Sequence, residues 1–572
     1  MFSVVIGACV AACGVGVAGP LPGPEMLPSK TYALVTVPSV ATLKDRMLES
    51  SFGDLIADEE FEAFIADCRE RYEAEVADKI TDVVGLSAEE ILDIATGEFT
   101  VAFAEIDDRK LGLAGILDYE NDADLDVLIG KIEDLLEERD AERTTADIDG
   151  TEVVLHELAG TATDVIGKLA YFKKDDRFVF GNERMIEAIL ARWDGGNSDS
   201  LASAEIFSYV MEKTKTDDRT PAFAWYIDPI ALVELGIRAN QRTIPQAQMA
   251  LGFFPILGLK NLRAIGAASD IATDEFESVS KGVIYVEQPS SGLLGLFEFP
   301  ATRQNISDWV PADAVGYSVM NWDVASAYGA VSDLFNMLQG PGMLENQIDR
   351  IADSPNGPGV HIKDDVIDGL TGTIEVVSFP SSTEVDDDTL NPAALQQEIV
   401  VAAELTDPQR VEELMAEFAD SDAYTGRVRT FEGTSVYEIP NPSAAQGGPE
   451  NIAFAVIGSK FFASFGTSHV EDAIRGVDVA DRLSESPAFN AIADRLPAQT
   501  SIMGYQSSGA QLEAVYGFLK SEAFANQLGG FDLFESLPSF EAIEKYLTNA
   551  GSYVVPDANG AFFVNFAVPA AD

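Results

Sequence analysis

An α+β fold, written twice in tandem, is what this sequence predicts, and three observations carry the prediction. The stretch from about Tyr32 to Pro300 returns, diverged but in the same order, from about Val315 to Pro569. Turn-forming dipeptides separate neighbouring β-like runs, which points to antiparallel pairing. The helical stretches each carry one apolar face, as a helix laid on a sheet requires. The expected architecture is two similar domains, each a mainly antiparallel sheet covered by helices and built from β-α-β-β units. The boundaries expected are a leader and Pro/Gly linker over 1–28, a first domain over 29–305 and a second over 306–572.

Each landmark of the first copy has a counterpart. Leu92-Asp93-Ile94-Ala95-Thr96-Gly97 answers Ile367-Asp368-Gly369-Leu370-Thr371-Gly372, with a strand-like run after each. Asp149-Gly150 answers Glu432-Gly433, and Asp-Gly suits a type I′ hairpin turn because glycine takes positive φ without a Cβ clash. Phe178-Val179-Phe180-Gly181 answers Ala463-Ser464-Phe465-Gly466, and Tyr226 before a helix answers Tyr505. Phe297-Glu298-Phe299-Pro300-Ala301 answers Phe566-Ala567-Val568-Pro569-Ala570.

Four β-like runs lead into a polar residue and then a helix. The polar residues are Ser39, Asp228, Asp323 and Ser508, side chains that accept a hydrogen bond from a first-turn N–H. Two strands are expected after such helices: Gly282 to Val286 then Leu293 to Phe299, and Ser552 to Val555 then Ala561 to Val568. Leu125, Leu128, Ile129, Ile132, Leu135 and Leu136 form one helical face, with Glu133, Asp134, Glu137 and Glu138 opposite.

Charge narrows the function classes. The chain of 572 residues holds 95 acidic against 37 basic residues, a formal net charge of −58. Such a field repels phosphate backbones and anionic lipid, which excludes nucleic acid as an expected partner. Hydrophobic content of 47% is that of a folded protein. No internal apolar run reaches the ~18–20 residues needed to cross a bilayer as a helix.

Phe2 to Val17 is apolar and small and runs into Gly19-Pro20-Leu21-Pro22-Gly23-Pro24, the outline of an export signal, although no Lys or Arg precedes it. Val10-Ala11-Ala12-Cys13 resembles the lipobox of bacterial lipoproteins, which makes Cys13 the candidate lipidation site. Beyond Cys9 and Cys13 only Cys68 remains, so no disulfide framework is expected in the mature chain. Cys68 lies among Phe61, Phe64, Ile65 and Tyr72 at helical spacing and reads as a structural thiol.

Motifs that could carry chemistry are few. Gly14-Val15-Gly16-Val17-Ala18-Gly19 matches GxGxxG but lies in the leader, outside any βαβ unit. The three histidines, His156, His361 and His469, have no second His or Cys at metal-ligand spacing. Asp122, Asp124, Asp126 and Glu133 imitate EF-hand spacing, but Val127 takes the place of the required glycine and the helical pattern runs through. Asp386-Asp387-Asp388 is a loop triplet able to attract calcium weakly. No catalytic residue, cofactor or metal ligand is assigned.

Tyr32-Ala33-Leu34-Val35-Thr36-Val37-Pro38-Ser39 with Leu43, then Phe52-Gly53-Asp54-Leu55, then Leu86 to Leu92 leading to Gly97, resemble an uncharacterised family of exported bacterial proteins, a domain of unknown function. The resemblance implies an envelope location and a two-layer α+β structure, and it supplies no catalytic residues. The function expected is a non-enzymatic, strongly acidic exported module that binds or scaffolds in the periplasm, at the envelope or outside the cell. Its partner there is unspecified, and it meets the membrane only through a lipid on Cys13. The alternatives are a carboxylate-based or calcium-dependent hydrolase and a carrier of hydrophobic ligands.

Overall fold

The computed structural model describes residues 21–71, 94–106, 110–157, 167–195, 199–217, 219–239, 249, 251–354, 359–381, 397–421, 424–442, 444, 449–521, 524 and 536–569. It forms two compact units, Met1–Val40 with Ala88–Ser208, and Ala41–Ser87 with Tyr209–Asp572. The leader, Cys13, the GxGxxG stretch, Leu86 to Leu92 and Asp386-Asp387-Asp388 lie outside the described residues. Both units combine helices with antiparallel sheet, so the fold class is α+β.

In the first unit, seven strands are β1 (Thr31–Val37), β2 (Ala95–Ile106), β3 (Lys110–Tyr119), β4 (Glu142–Ile148), β5 (Thr151–Glu157), β6 (Leu169–Lys174) and β7 (Arg177–Asn182). They pair antiparallel in the order β1-β2-β3-β7-β6-β5-β4. The β4–β5 turn is made by Asp149 and Gly150, both left-handed at φ 52° and 77°, as the dipeptide predicts. Between Ala95 and Phe99 the β2–β3 register slips at an irregularity that contains Gly97. A Cβ on Gly97 would stand 2.8 Å from the Asp118 side chain. The helix Asp122–Glu138 starts at Asn121, whose Oδ1 accepts from Ala123 N–H at 3.0 Å, and it buries Leu125, Leu128 and Leu136. It runs unbroken through the EF-hand-like acidic spacing, so those carboxylates stand in a helix's first turns. The helix Glu183–Leu190 packs Met185, Ile186 and Ile189 against β3, β6 and β7.

The second unit holds β8 (Phe223–Ile227), β9 (Leu262–Ile271), β10 (Ser278–Val286), β11 (Gly316–Asn321), β12 (Leu370–Phe379), β13 (Glu398–Leu405), β14 (Arg427–Phe431), β15 (Thr434–Pro440), β16 (Asn451–Ile457), β17 (Lys460–Phe465), β18 (Ile502–Ser507), β19 (Thr548–Asp557) and β20 (Gly560–Pro569). All pair antiparallel in one continuous order, β8-β9-β10-β20-β19-β18-β11-β12-β13-β17-β16-β15-β14. One face carries the core: Tyr317 and Val319 of β11, Met503 and Tyr505 of β18, Val564 and Phe566 of β20, covered by Phe489 and Ile492 of the helix Pro487–Ala493. Gly551 admits that cover, since a Cβ there would meet Phe566 at 2.4 Å and Ile492 at 2.6 Å.

The compact units are cut differently from the sequence repeat. Strands β8 to β10 fall within 29–305, yet they belong to the second unit because β10 pairs along its length with β20. Two local expectations are corrected. Leu293 to Phe299 is not a strand: Gly292–Phe297 is a 3-10 helix, and the strands after the helix Pro229–Ala239 are β9 and β10. Gly292 at φ 63° ends extended backbone there, and Gly295 allows close packing on Ala330 of the helix Val324–Gln339. Phe297 therefore has no counterpart in Phe566, which sits in β20. Gly181 and Gly466 are also not equivalent. In the ladder Gly181 pairs with Ala114 of β3, whereas in the second unit Ser464 pairs with Val400 of β13 and Gly466 lies beyond β17.

Candidate functional site

The face of the second unit's sheet opposite the core carries an open groove of about 760 Å³. Direct cross-strand partners share a face, and here they form a row of small polar side chains. Ser269, Ser280, Asn565, Ser552, Gly504 and Ser318 are neighbours in turn, running from β9 across to β11. A second row beside it is Ser278, Ala567, Ala550, Gln506, Gly316 and Ser378. All of these residues line the groove. Ser269 and Ser280 share a hydrogen bond at 2.8 Å. Gly504 leaves room for Ser552, whose Oγ would stand 2.5 Å from a Cβ at that position.

Among the described residues lining the groove, Asp270 alone is charged. It is 1% exposed and already paired, with Arg46 Nη1 at 2.7 Å and Arg219 Nε at 3.1 Å. The floor is therefore neutral in a chain of net charge −58. Hydroxyl and amide groups can both donate and accept there, while short side chains let a ligand approach the backbone.

The buried carboxylates are structural. Glu98 of the first unit accepts Gly23 N–H at 2.9 Å on both oxygens and Arg177 Nη2 at 3.2 Å. Arg177 also reaches Asp118 and donates to Leu21 O at 2.5 Å, so this cluster pins the segment from Leu21 to Met26. Burial raises the Glu98 carboxyl against the opposing pull of the Thr100 hydrogen bond and Arg177. Glu375 of the second unit is 1% exposed and takes hydrogen bonds from Ser307 at 2.6 Å, Trp309 at 3.1 Å and Tyr317 at 3.2 Å, with Lys460 Nζ at 3.0 Å. Burial pushes Glu438 up, but Arg429 and Arg427 more than reverse it and hold the carboxyl low.

The histidines occupy separate surroundings. His156 on β5 is buried, stacks on Tyr171 at 6.1 Å, and has no hydrogen bond to Nε2. Tyr171 donates to Glu133 at 2.6 Å, as does Arg143 at 2.9 Å, so the partly exposed Glu133 is tied to the sheet. Burial, then Glu133, pushes the Tyr171 hydroxyl up to about 12. His361 lies between Asp349 at 3.2 Å and Asp353 at 3.5 Å; the Asp349 hydrogen bond raises it. His469 bonds Glu398 at 2.7 Å, stacks on Phe379 at 4.2 Å, and borders a cavity of about 270 Å³ with Trp309, Asp313, Asp472 and Arg475. Cys68 is half-buried in the helix Glu62–Arg71. Among the described residues, no three His, Cys, Asp or Glu side chains converge as metal ligands.

The groove is the feature that motif reading misses. Its signal is small polar residues at alternate strand positions, as in Ser278-x-Ser280, Gly316-x-Ser318 and Gly504-x-Gln506, read beside apolar residues on the other face.

No protein-family model matches the chain, and no curated protein matches it. A solved structure titled "Structure of crystal form III of TP0453" aligns with 50% of this chain and 90% of its own at 15% identity, with a TM-score of 0.24, a likeness too slight to argue from.

Proposed function

We propose that this protein is an exported, non-catalytic binding module of the cell envelope whose ligand lies in the groove of the second unit. The neutral floor supports the reading: its rows of serine, asparagine, glutamine and glycine are bounded by apolar Phe223, Ile271 and Val376. A floor of that chemistry suits a neutral, hydroxyl-rich ligand, a glycan strand, and offers an anionic ligand no cation. The carboxylate hydrolase gains no support from Glu98, Glu375 or Glu438, each of which is buried and engaged by donors. The test is titration of neutral oligosaccharides into the full chain by calorimetry, beside Ser552→Trp, which fills the row. Binding that falls by roughly tenfold or more in the variant, about 1.4 kcal/mol, is expected. Equal binding by both proteins would sink the groove as the site. Export is read from protein recovered from its native envelope. An intact mass beginning at a lipid-bearing Cys13 or after a cleaved leader is expected, and a mass retaining Met1 to Ala18 speaks against it.

The binding module is also read as a tandem duplication. The order β1-β2-β3-β7-β6-β5-β4 recurs as β11-β12-β13-β17-β16-β15-β14. The turn pair Asp149-Gly150 has its counterpart in Glu432-Gly433, left-handed at 46° and 90°. Within the second unit, Tyr226, Gly266 and Val283 are cross-strand neighbours in turn, as are Tyr505, Gly551 and Phe566. Gly266 lies under Val210 as Gly551 lies under Ile492. Matching these sets aligns β10 with β20, and their own pairing then has a local two-fold centre at Lys281 and Val564, flanked by Gly282 with Phe563 and Ser280 with Asn565.

A further inference from the structure

The helices between β11 and β12, with the 3-10 helix Gly292–Phe297 that precedes β11, expose apolar side chains away from the groove. Phe297 of the 3-10 helix, Val331, Met337 and Leu338 of the helix Val324–Gln339, Ile351 of the helix Met343–Ala352, and Val366 of the segment Ile362–Ile367 are each between 42% and 67% exposed. The helix Val324–Gln339 packs against the other three elements, so these residues belong to one helical cluster. Burying large aliphatic or aromatic side chains is favourable, so several of them left in water on touching elements mark an interaction surface. The methionine adds adaptability, as at surfaces that accept helices of varied sequence.

Charge selects the occupant. Asp323 to Asp368 carries eight carboxylates against Arg350 and Lys363. Asp349, Asp353 and Asp364 are well exposed, at 58%, 72% and 78% for their side chains. A second copy of this chain brings the same −58 and is repelled, and so is an anionic lipid surface. An amphipathic helix with an apolar stripe and a basic opposite face satisfies both the side chains and the carboxylates around them. We infer that this helical cluster docks a cationic amphipathic helix of a partner protein, a role independent of the ligand proposed for the groove.

The probe is a synthetic helix of about 18 residues, leucine on one face and lysine on the other, long enough for about five turns. Its fluorescence anisotropy is followed as full-length protein is added. Binding is expected, with a roughly tenfold loss in Leu338→Glu and in Ile351→Glu, and no loss in Ser552→Trp. A leucine–glutamate peptide of the same length is expected not to bind. Both charged substitutions fall on exposed positions, and far-UV circular dichroism checks that the fold is kept. Undiminished binding by both Glu variants would mean that the general field alone attracts the peptide, and it overturns the inference. So does a dimer in sedimentation, or flotation with zwitterionic vesicles, that Leu338→Glu abolishes, since either gives the face to another occupant.

Discussion

His156 shows how one buried side chain can carry a pH response. It is 3% exposed, and its Nε2 has no partner to stabilise a proton. Burial lowers its pKa below the ordinary value of about 6.5, against the raising pull of Glu133. Between the folded value and about 6.5 the unfolded chain therefore binds the extra proton. The stability contribution is complete above that window and is lost as pH falls through it. His156→Phe keeps an aromatic ring against Tyr171 and removes the titrating group. The variant is expected to gain stability relative to the parent as pH falls from about 7 to about 5, with a constant difference above about 7. Urea unfolding midpoints of both proteins across that range check it; a difference that does not change with pH would refute the assignment. Arg177 illustrates the opposite case, a buried charge whose partners are all in place. It is 2% exposed and meets Glu98, Asp118 and a backbone carbonyl, so its role is to hold the segment at Leu21 to Met26.

At the scale of elements, local chemistry was legible and long-range pairing was not. The Asp149-Gly150 turn, the Asp228 and Asp323 caps, and the apolar face of Asp122–Glu138 follow from side chains a few residues apart, and each stands where the sequence places it. Ser508 reads in sequence as a cap of the same kind, but its hydroxyl donates to Thr548 O at 2.8 Å instead. Leu293 to Phe299 looks like a strand by composition, yet Gly292 and Gly295 let it coil against the helix Val324–Gln339. The pairing of β10 with β20 joins residues that no short-range pattern connects, because register is set by which faces are buried once the sheet exists. The groove was hidden for the same reason. Ser280, Asn565, Ser552 and Ser318 are ordinary polar residues in their own strands and become a row only when the ladders align them. Periodicity puts Glu133 opposite the apolar face, and there its partly exposed carboxylate also takes Tyr171 and Arg143 from neighbouring strands, which periodicity does not show.

For the whole molecule, the dominant quantity is the net charge of −58. Self-repulsion of that size opposes compaction and is relieved when the chain expands. The screening length falls from ~30 Å at 0.01 M salt to ~10 Å at 0.1 M, so the repulsion between distant carboxylates fades over that range. Salt also weakens exposed ion pairs such as Arg184 with Glu187 and Lys215 with Glu212, but such pairs are worth only ~0–1 kcal/mol each. The buried clusters at Arg177 and Glu375 are screened far less, because water and ions do not enter them. Relief of repulsion therefore outweighs loss of surface pairs, and the melting temperature is expected to rise from about 0.01 M to about 0.3 M sodium chloride at pH 7. Potassium chloride should give the same rise and sucrose of equal osmolality should not share its shape. Magnesium chloride matched in ionic strength separates screening from binding: a match to sodium means screening, and a further rise means that carboxylate clusters take up the divalent ion. A melting temperature that stays flat or falls over the sodium chloride series would show that the acidic surface is spaced widely enough to carry its charge without strain.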